Sequence, residues 1–152
     1  MIDKSIIKLA ETLADTSSEV IMRYFRGKFK IDAKSDTSPV TIADKEAELA
    51  MRSIIQDAQP DHGIIGEEMG SLNPEAEYVW VLDPIDGTQS FVTGKPVFGS
   101  LIALMRDGKP ILGVMNIPAL NERWVGIEGR TTTFNGNKVN VRSCKDISKA
   151  WL

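Results

Sequence analysis

The sequence has very few of the side chains that bind soft metals or form covalent crosslinks. Its 152 residues include one cysteine, Cys144, and one histidine, His62. A single cysteine excludes an intrachain disulfide and is typical of a protein of the reducing cytoplasm. Zinc sites are disfavoured, because neither residue has a second of its kind. A Cys–His nucleophile pair is also disfavoured, because Cys144 follows a predicted strand and His62 lies in a polar turn. We therefore expect Cys144 to be a small packed residue and His62 to be a solvated turn residue.

The sequence also lacks long apolar runs and an excess of positive charge. No run approaches the roughly 20 apolar residues that span a bilayer, and the N-terminus has no signal-peptide core. Lys and Arg number 18 against 21 Asp and Glu, and the formal net charge is −3. This balance and the lack of long apolar runs predict a soluble domain that binds neither nucleic acid nor membrane. The single cysteine favours the cytoplasm as its compartment. Because weak acidity repels anions, a phosphate-binding site in this chain would need cations.

Apolar periodicity predicts a helix at the start of the chain. Apolar residues recur at three- and four-residue steps from Ile6 to Phe25, and Gly27 follows as a stop. The hydroxyl side chains of residues 16–18 compete for backbone hydrogen bonds, so a bend is possible there. A short strand is predicted at residues 28–33 and a polar loop at residues 34–39.

A second helix is predicted after this loop. Thr41 is a candidate N-cap with Asp44 three residues later, and the helix extends to about Ala58. On this helix Glu48 and Arg52 are expected to form an i,i+4 ion pair that faces outward.

The rest of the chain has the pattern of strands. Tight hairpin turns are predicted at Asp107-Gly108 and Asn135-Gly136. The predicted strands are residues 64–65, 78–82, 98–105, 111–117, 123–127, 131–134 and 138–141. Two helices followed by such strands indicate an α+β fold, with two N-terminal helices packed on a mostly antiparallel sheet.

Two acidic clusters directly follow predicted strands. The first is Gly66-Glu67-Glu68, and the second is the segment from Asp83 to Thr88. Carboxylates are hard oxygen ligands of the kind that Mg²⁺ prefers. Such clusters also form ordinary turns. Two such clusters, each directly after a predicted buried strand and separated by a short loop, nevertheless favour a magnesium site at which a small phosphate monoester is hydrolysed.

The second cluster has a spacing suited to cations. Asp83 ends a strand, Pro84 fixes the exit angle, and Asp86 returns after a tight turn. Both carboxylates are then expected to face one cation or two adjacent ones. Because Pro84 has no N–H, the turn carbonyls, that of Ile85 included, are left free to point at metal.

The residues after Asp86 suit an anion. Gly87 allows close backbone approach, and a helical turn beginning at Thr88 would offer its N–H groups to a phosphate. The Thr88 hydroxyl is a candidate for orienting the attacking water. Asp44 is by contrast more typical of a helix-dipole partner than of a catalytic group.

These segments resemble the first signature of the inositol monophosphatase superfamily. The resemblance covers the chain from the first helix to Ser143. Ser90 and Thr93 stand where typical inositol phosphatases have Asn and His, which favours another branch. The stretches similar to the histidinol-phosphatase branch are residues 94–96, 98–104, 122–126 and 132–136.

The resemblance implies roles for individual residues. The implied ligands of two or three Mg²⁺ ions are Glu67, Asp83, the Ile85 carbonyl and Asp86. The implied catalytic residues are Glu67 and Thr88, which activate the water, and Asp44, which helps to hold Thr88. The implied substrate-binding residues are Glu67, Asp86, Gly87, Thr88 and Gln89.

The resemblance also implies that something is missing. Members of the family are nearly twice as long, and their second half supplies a further metal-binding Asp and much of the substrate pocket. We therefore expect residues 1–152 to be an N-terminal metal- and phosphate-binding half of a homodimeric histidinol-phosphatase, without the C-terminal domain. The alternatives are an inositol-1-phosphatase or a nucleotide-type relative. In another class, the alternative is a truncated, non-catalytic module that binds metal or dimerises.

Overall fold

The structure is a computed structural model that describes residues 2–28, 31–33 and 39–150, with only the backbone at 31–33 and 39–40. Its α-helices are α1 (Lys4–Tyr24), α2 (Ile42–Ala58) and α3 (Thr88–Val92). Its first five strands are β1 (Ile31–Ala33), β2 (Pro39–Thr41), β3 (Gly63–Gly66), β4 (Gly70–Leu72) and β5 (Tyr78–Asp86). The other strands are β6 (Gly99–Arg106), β7 (Lys109–Ile117), β8 (Glu122–Ile127), β9 (Thr133–Phe134) and β10 (Asn137–Lys138). The predicted loop at residues 34–39 falls outside the described residues except for Pro39, which begins β2.

Eight strands form one sheet in the order β10-β9-β8-β7-β6-β5-β3-β4. Every neighbouring pair is antiparallel except β3 and β5, which run parallel. Strands β1 and β2 pair separately as an antiparallel ribbon. The predicted α+β class is therefore confirmed, with two long helices and a mostly antiparallel sheet.

Helix α1 runs without interruption through residues 16–18. The Ser18 hydroxyl donates to the Ala14 carbonyl, and the Ser17 hydroxyl bonds to Ser100 on β6. Both hydroxyls thus find partners that leave the helical backbone bonds intact, so no bend forms. The helix ends at Tyr24, and Arg26 takes up the left-handed conformation with φ 60°.

Helix α2 begins with the predicted cap. The Thr41 hydroxyl accepts from the N–H of Ala43, and the Asp44 carboxylate accepts from the N–H of Thr41. The prediction of an outward Glu48–Arg52 pair was wrong. The two side chains do pair, but Glu48 is fully buried and Arg52 is 8% exposed.

The core lies between these helices and one face of the sheet. Along β5, Trp80 and Leu82 are buried beneath α1 and α2, while Val81 and Asp83 lie on the opposite face. Fully burying an apolar side chain contributes about 1.5–3 kcal/mol, so this helix-covered face holds the fold together. The opposite face of the central strands is apolar and only partly covered, with Met115 41% exposed.

Both predicted hairpin turns have the expected backbone. Asp107 and Gly108 have φ of 50° and 74°, and Asn135 and Gly136 have φ of 46° and 79°. Positive φ at both central residues is typical of the type I′ turns that suit a twisted hairpin. None of the described helices is long and apolar enough to cross a bilayer.

The expectations for the lone cysteine and histidine were wrong. Cys144 is exposed and lies outside any strand, because β10 ends at Lys138. His62 is partly buried, and its Nδ1 accepts the indole N–H of Trp80 at 3.1 Å. Burial lowers the pKa of His62, since the neutral ring is the form that this environment and this hydrogen bond favour.

Candidate metal and phosphate site

The parallel pairing of β3 and β5 brings the two acidic clusters to one edge of the sheet. Gly66 pairs with Leu82, and the Glu67 N–H donates to the Leu82 carbonyl at 3.1 Å. Glu67 therefore follows β3 at the level of Asp83 on β5. The carboxyl ends of parallel strands meet at the same edge of the sheet. Because each acidic cluster lies at the carboxyl end of its strand, the two clusters lie close together.

A β-bulge in β5 places Asp83 and Asp86 on the same face. Asp83 pairs with Leu101 and Asp86 with Gly99, so three steps along β5 match two steps along β6. In a regular strand, residues three apart point to opposite faces. The extra residue of the bulge cancels this difference, and such bulges redirect side chains in this way.

The surroundings of the two carboxylates agree with this arrangement. Asp83 lines a shallow hollow on the open face of the sheet, and Asp86 lines an adjoining one. Met115 and Trp124 contribute to both hollows. Asp83 is partly buried, whereas Glu67 and Asp86 are exposed, so the acidic groups are accessible from solvent.

A chain of buried hydroxyl groups holds the bulge. Ser100 donates to the Pro84 carbonyl at 2.8 Å, and its oxygen lies 2.7 Å from the Ser17 hydroxyl. Because Ser100 has one proton and donates it to Pro84, Ser17 must be the donor in the second bond. Helix α1 is thereby linked to the bulge between the two aspartates. The sequence reasoning missed Ser17 and Ser100, since nothing in their local pattern marks them.

The turn after Asp86 is helical, as predicted. Gly87 caps α3 in the left-handed conformation with φ 84° and ψ 37°, where a side chain would be strained. A Cβ there would also lie 3.2 Å from the Val97 carbonyl oxygen. Phe91 is 1% exposed and packs against Phe98 with ring centroids 5.0 Å apart, which anchors the short helix.

The first residues of α3 are arranged around the bulge. The Thr88 hydroxyl donates to the Ile85 carbonyl at 3.0 Å. A carbonyl oxygen accepts two hydrogen bonds, so Ile85 keeps acceptor capacity for another group. Gln89 is exposed beside Thr88. The leading N–H groups of a helix have no acceptor within it, which leaves those of Thr88 and Gln89 suited to an anion.

Asp44 lies at the start of α2 and is 2% exposed. Its carboxylate accepts from the Thr41 N–H at 2.8 Å and from the Thr41 hydroxyl at 2.6 Å. Burial raises the pKa of Asp44 despite the lowering effect of these hydrogen bonds. Within the described part of the chain the Thr88 hydroxyl bonds to Ile85, so the role of Asp44 in holding Thr88 stays a prediction.

The oxygen donors at this edge fit magnesium by their chemistry. They are the carboxylates of Glu67, Asp83 and Asp86 and the carbonyl of Ile85. Among the described residues, no group of three or more His, Cys, Asp or Glu side chains lies close enough together to hold a metal ion by itself. Mg²⁺ usually takes one or two carboxylates and keeps several waters, so a tighter protein cage is not required.

A family model described as the inositol monophosphatase family matches residues 3–152. The chain belongs to this family. A bifunctional phosphatase named IMPL2, chloroplastic, from Arabidopsis thaliana is 58% identical over 146 residues, which are 95% of this chain and 42% of that protein. A histidinol-phosphatase from Mycobacterium tuberculosis is 42% identical over 125 residues, 82% of this chain and 48% of that protein.

Solved structures of the family share the fold. An inositol monophosphatase from Zymomonas mobilis is 48% identical, with a TM-score of 0.80 over 93% of this chain and 54% of that one. The chain thus spans about half the length of the inositol monophosphatase family relatives it matches. The resemblance to the family is confirmed, while the roles of individual site residues, the homodimer and the cytoplasmic compartment stay predictions.

Proposed function

We propose that this chain carries the metal- and phosphate-binding part of a magnesium-dependent phosphomonoesterase that acts on histidinol phosphate. The bulge of β5 is the observation that carries the proposal. It turns Asp83 and Asp86 to one face of the sheet, and the parallel strand β3 delivers Glu67 to the same edge. The family membership of the chain supports a phosphatase activity.

In this proposal the oxygen donors of Glu67, Asp83, Ile85 and Asp86 hold the magnesium ions. When bound, such ions neutralise phosphate charge and lower the pKa of water. The chain's own contribution is to fix these oxygens on strand ends that hydrogen bonds hold in place. Fixed ligands of this kind need little reorganisation during the reaction.

The phosphate is proposed to lie at the start of α3. The N–H groups of Thr88 and Gln89 would donate to its oxygens, and Gly87 leaves room for it beside the backbone. Thr88 would orient the attacking water, and Glu67 would accept its proton. Asp86, next to Gly87, would also contact the substrate.

The choice of substrate rests on the hollow beside Asp86 and on the relatives. Glu122 and Trp124 line this hollow together with Asp86 and Gly87. Histidinol phosphate has a cationic amine and an imidazole, and both groups are suited to acidic and aromatic contacts. A relative from Chlorobaculum parvum that is 38% identical over 143 residues is also named histidinol-phosphatase. Inositol-1-phosphate is the second candidate, because the Zymomonas mobilis neighbour is an inositol monophosphatase.

Phosphate-release assays on the product of the full reading frame test the substrate. We expect kcat/KM for histidinol phosphate to exceed that for inositol-1-phosphate about tenfold, which corresponds to ~1.4 kcal/mol of transition-state binding. Glu122→Gln should raise KM for histidinol phosphate and leave inositol-1-phosphate unaffected. The 152-residue chain alone should turn over little of either ester. A preference of the wild type for inositol-1-phosphate would move the protein to the other candidate.

Magnesium binding is tested at Asp83, the proposed ligand shared between two cations. Asp83→Asn removes the negative charge and keeps the shape of the side chain. Calorimetric titration of the 152-residue chain with MgCl₂ should then show markedly weaker binding. Unchanged affinity in a folded Asp83→Asn variant would contradict the assignment.

A further inference from the structure

A buried ion pair on α2, formed by Glu48 and Arg52, contacts the turn that follows β3 and contains Glu67. Glu48 is fully buried, and its Oε1 accepts from Arg52 Nε at 2.8 Å. Taking an ion pair out of water is costly, and apolar side chains of similar volume often give equal or greater stability. Stability of the core therefore does not by itself explain a buried carboxylate at position 48.

Both oxygens of Glu48 bind the backbone that follows Glu67. The Glu68 N–H donates to Oε2 at 2.7 Å, and the Met69 N–H donates to Oε1 at 3.1 Å. Arg52 Nη2 donates to the Gly70 carbonyl at the end of the same turn. The pair thus holds three consecutive residues, namely Glu68 and Met69 of the turn and Gly70, the first residue of β4.

Glu67 itself lies between this contact and β5. Its own N–H donates to the Leu82 carbonyl, and the next two N–H groups are held by Glu48. The preceding residue, Gly66, lies so close to α2 that a Cβ would overlap the Glu48 carboxylate. The backbone is fixed on both sides of Glu67, whose side chain is exposed.

We propose that Glu48 is a positioning residue that holds Glu67 ready for magnesium. The inference rests on the proposed function, in which Glu67 is a metal ligand. A carboxylate suits this position because three N–H donors converge on it. A Gln side chain would instead present N–H groups of its own to one of them. Removing a group that orients a ligand typically weakens metal binding about 10–100-fold.

The variant Glu48→Gln tests the role, with Glu46→Gln as the matched control. Glu46 lies on the same helix and accepts a hydrogen bond from the Tyr24 hydroxyl at 2.7 Å. Calorimetric titration with MgCl₂ should show about tenfold weaker binding for folded Glu48→Gln and unchanged binding for Glu46→Gln. In the product of the full reading frame, saturating magnesium should restore most of the kcat of Glu48→Gln. A general loss of folding would not be reversed in this way.

Amide hydrogen exchange of the wild type provides a measurement that does not depend on whether the variant folds. The N–H groups of Glu68 and Met69 should exchange slowly without magnesium, although they lie in a surface turn. Exchange as fast as in the exposed Asp107-Gly108 turn would overturn the inference. So would equal magnesium affinity of wild type and folded Glu48→Gln. Failure of the wild type itself to bind magnesium would instead overturn the proposed function on which the inference rests.

Discussion

The hydroxyl chain from α1 to the bulge offers a direct test of what holds the two aspartates on one face. Ser100→Ala deletes a donor to the Pro84 carbonyl and the acceptor of the Ser17 hydroxyl. Ser100 is fully buried, so water cannot replace the lost partner without rearrangement. A buried carbonyl left without a donor costs about 1–3 kcal/mol. Because Ser17 can turn to a carbonyl of its own helix, most of this cost should come from Pro84.

The free energy of unfolding from urea titration measures the effect. We expect Ser100→Ala to lower it by about 1–3 kcal/mol and Ser17→Ala by about 0.5–1.5 kcal/mol, since Ser17→Ala leaves the bond to Pro84 intact. The double variant should lose less than the sum, because the two hydroxyls form one chain. Thr12→Ala on α1, whose hydroxyl bonds only locally to the Lys8 carbonyl, is the control and should have little effect. A larger loss for Ser17→Ala than for Ser100→Ala would refute the reasoning.

Two further predictions concern turnover and pH. In the product of the full reading frame, Thr88→Ala should lower kcat roughly a hundredfold with little change in magnesium affinity, because its hydroxyl is proposed to position water; near-normal turnover would refute that role. Because the pKa of His62 is lowered below its ordinary value of 6.5 in the folded state, its neutral form stabilises the protein above that pH, and this stability is lost as the pH falls further. Between about pH 7.5 and pH 5 the urea midpoint should therefore fall less for His62→Asn than for the wild type. The Asn side chain keeps an acceptor for the Trp80 N–H but does not titrate. Identical pH profiles would show that His62 contributes nothing to the pH dependence of stability.

The sequence by itself predicted both long helices, most strands of the large sheet and the acidic residues of the candidate site. Apolar periodicity predicted both long helices. The residue types at Thr41 and at Asp107-Gly108 predicted a helix cap and a hairpin turn, and both are present in the structure. These signals are local, since they depend on residues only a few positions apart. The acidic clusters could be found for the same reason, because each is a short motif at the end of an apolar strand or directly after it.

Only the tertiary structure decided how these pieces meet. The bulge that turns Asp83 and Asp86 to one face depends on pairing with β6, which the spacing of the two aspartates does not show. The Glu48–Arg52 pair has the i,i+4 spacing of a surface ion pair, and the sequence pattern predicted it to face outward. It is buried because the turn after Glu67 folds over it and supplies N–H and carbonyl partners from about twenty residues away in sequence. A local pattern cannot show that distant backbone groups will replace water around a charge. For this reason the sequence pointed to the candidate carboxylates but not to the buried Glu48–Arg52 pair beneath the turn after Glu67.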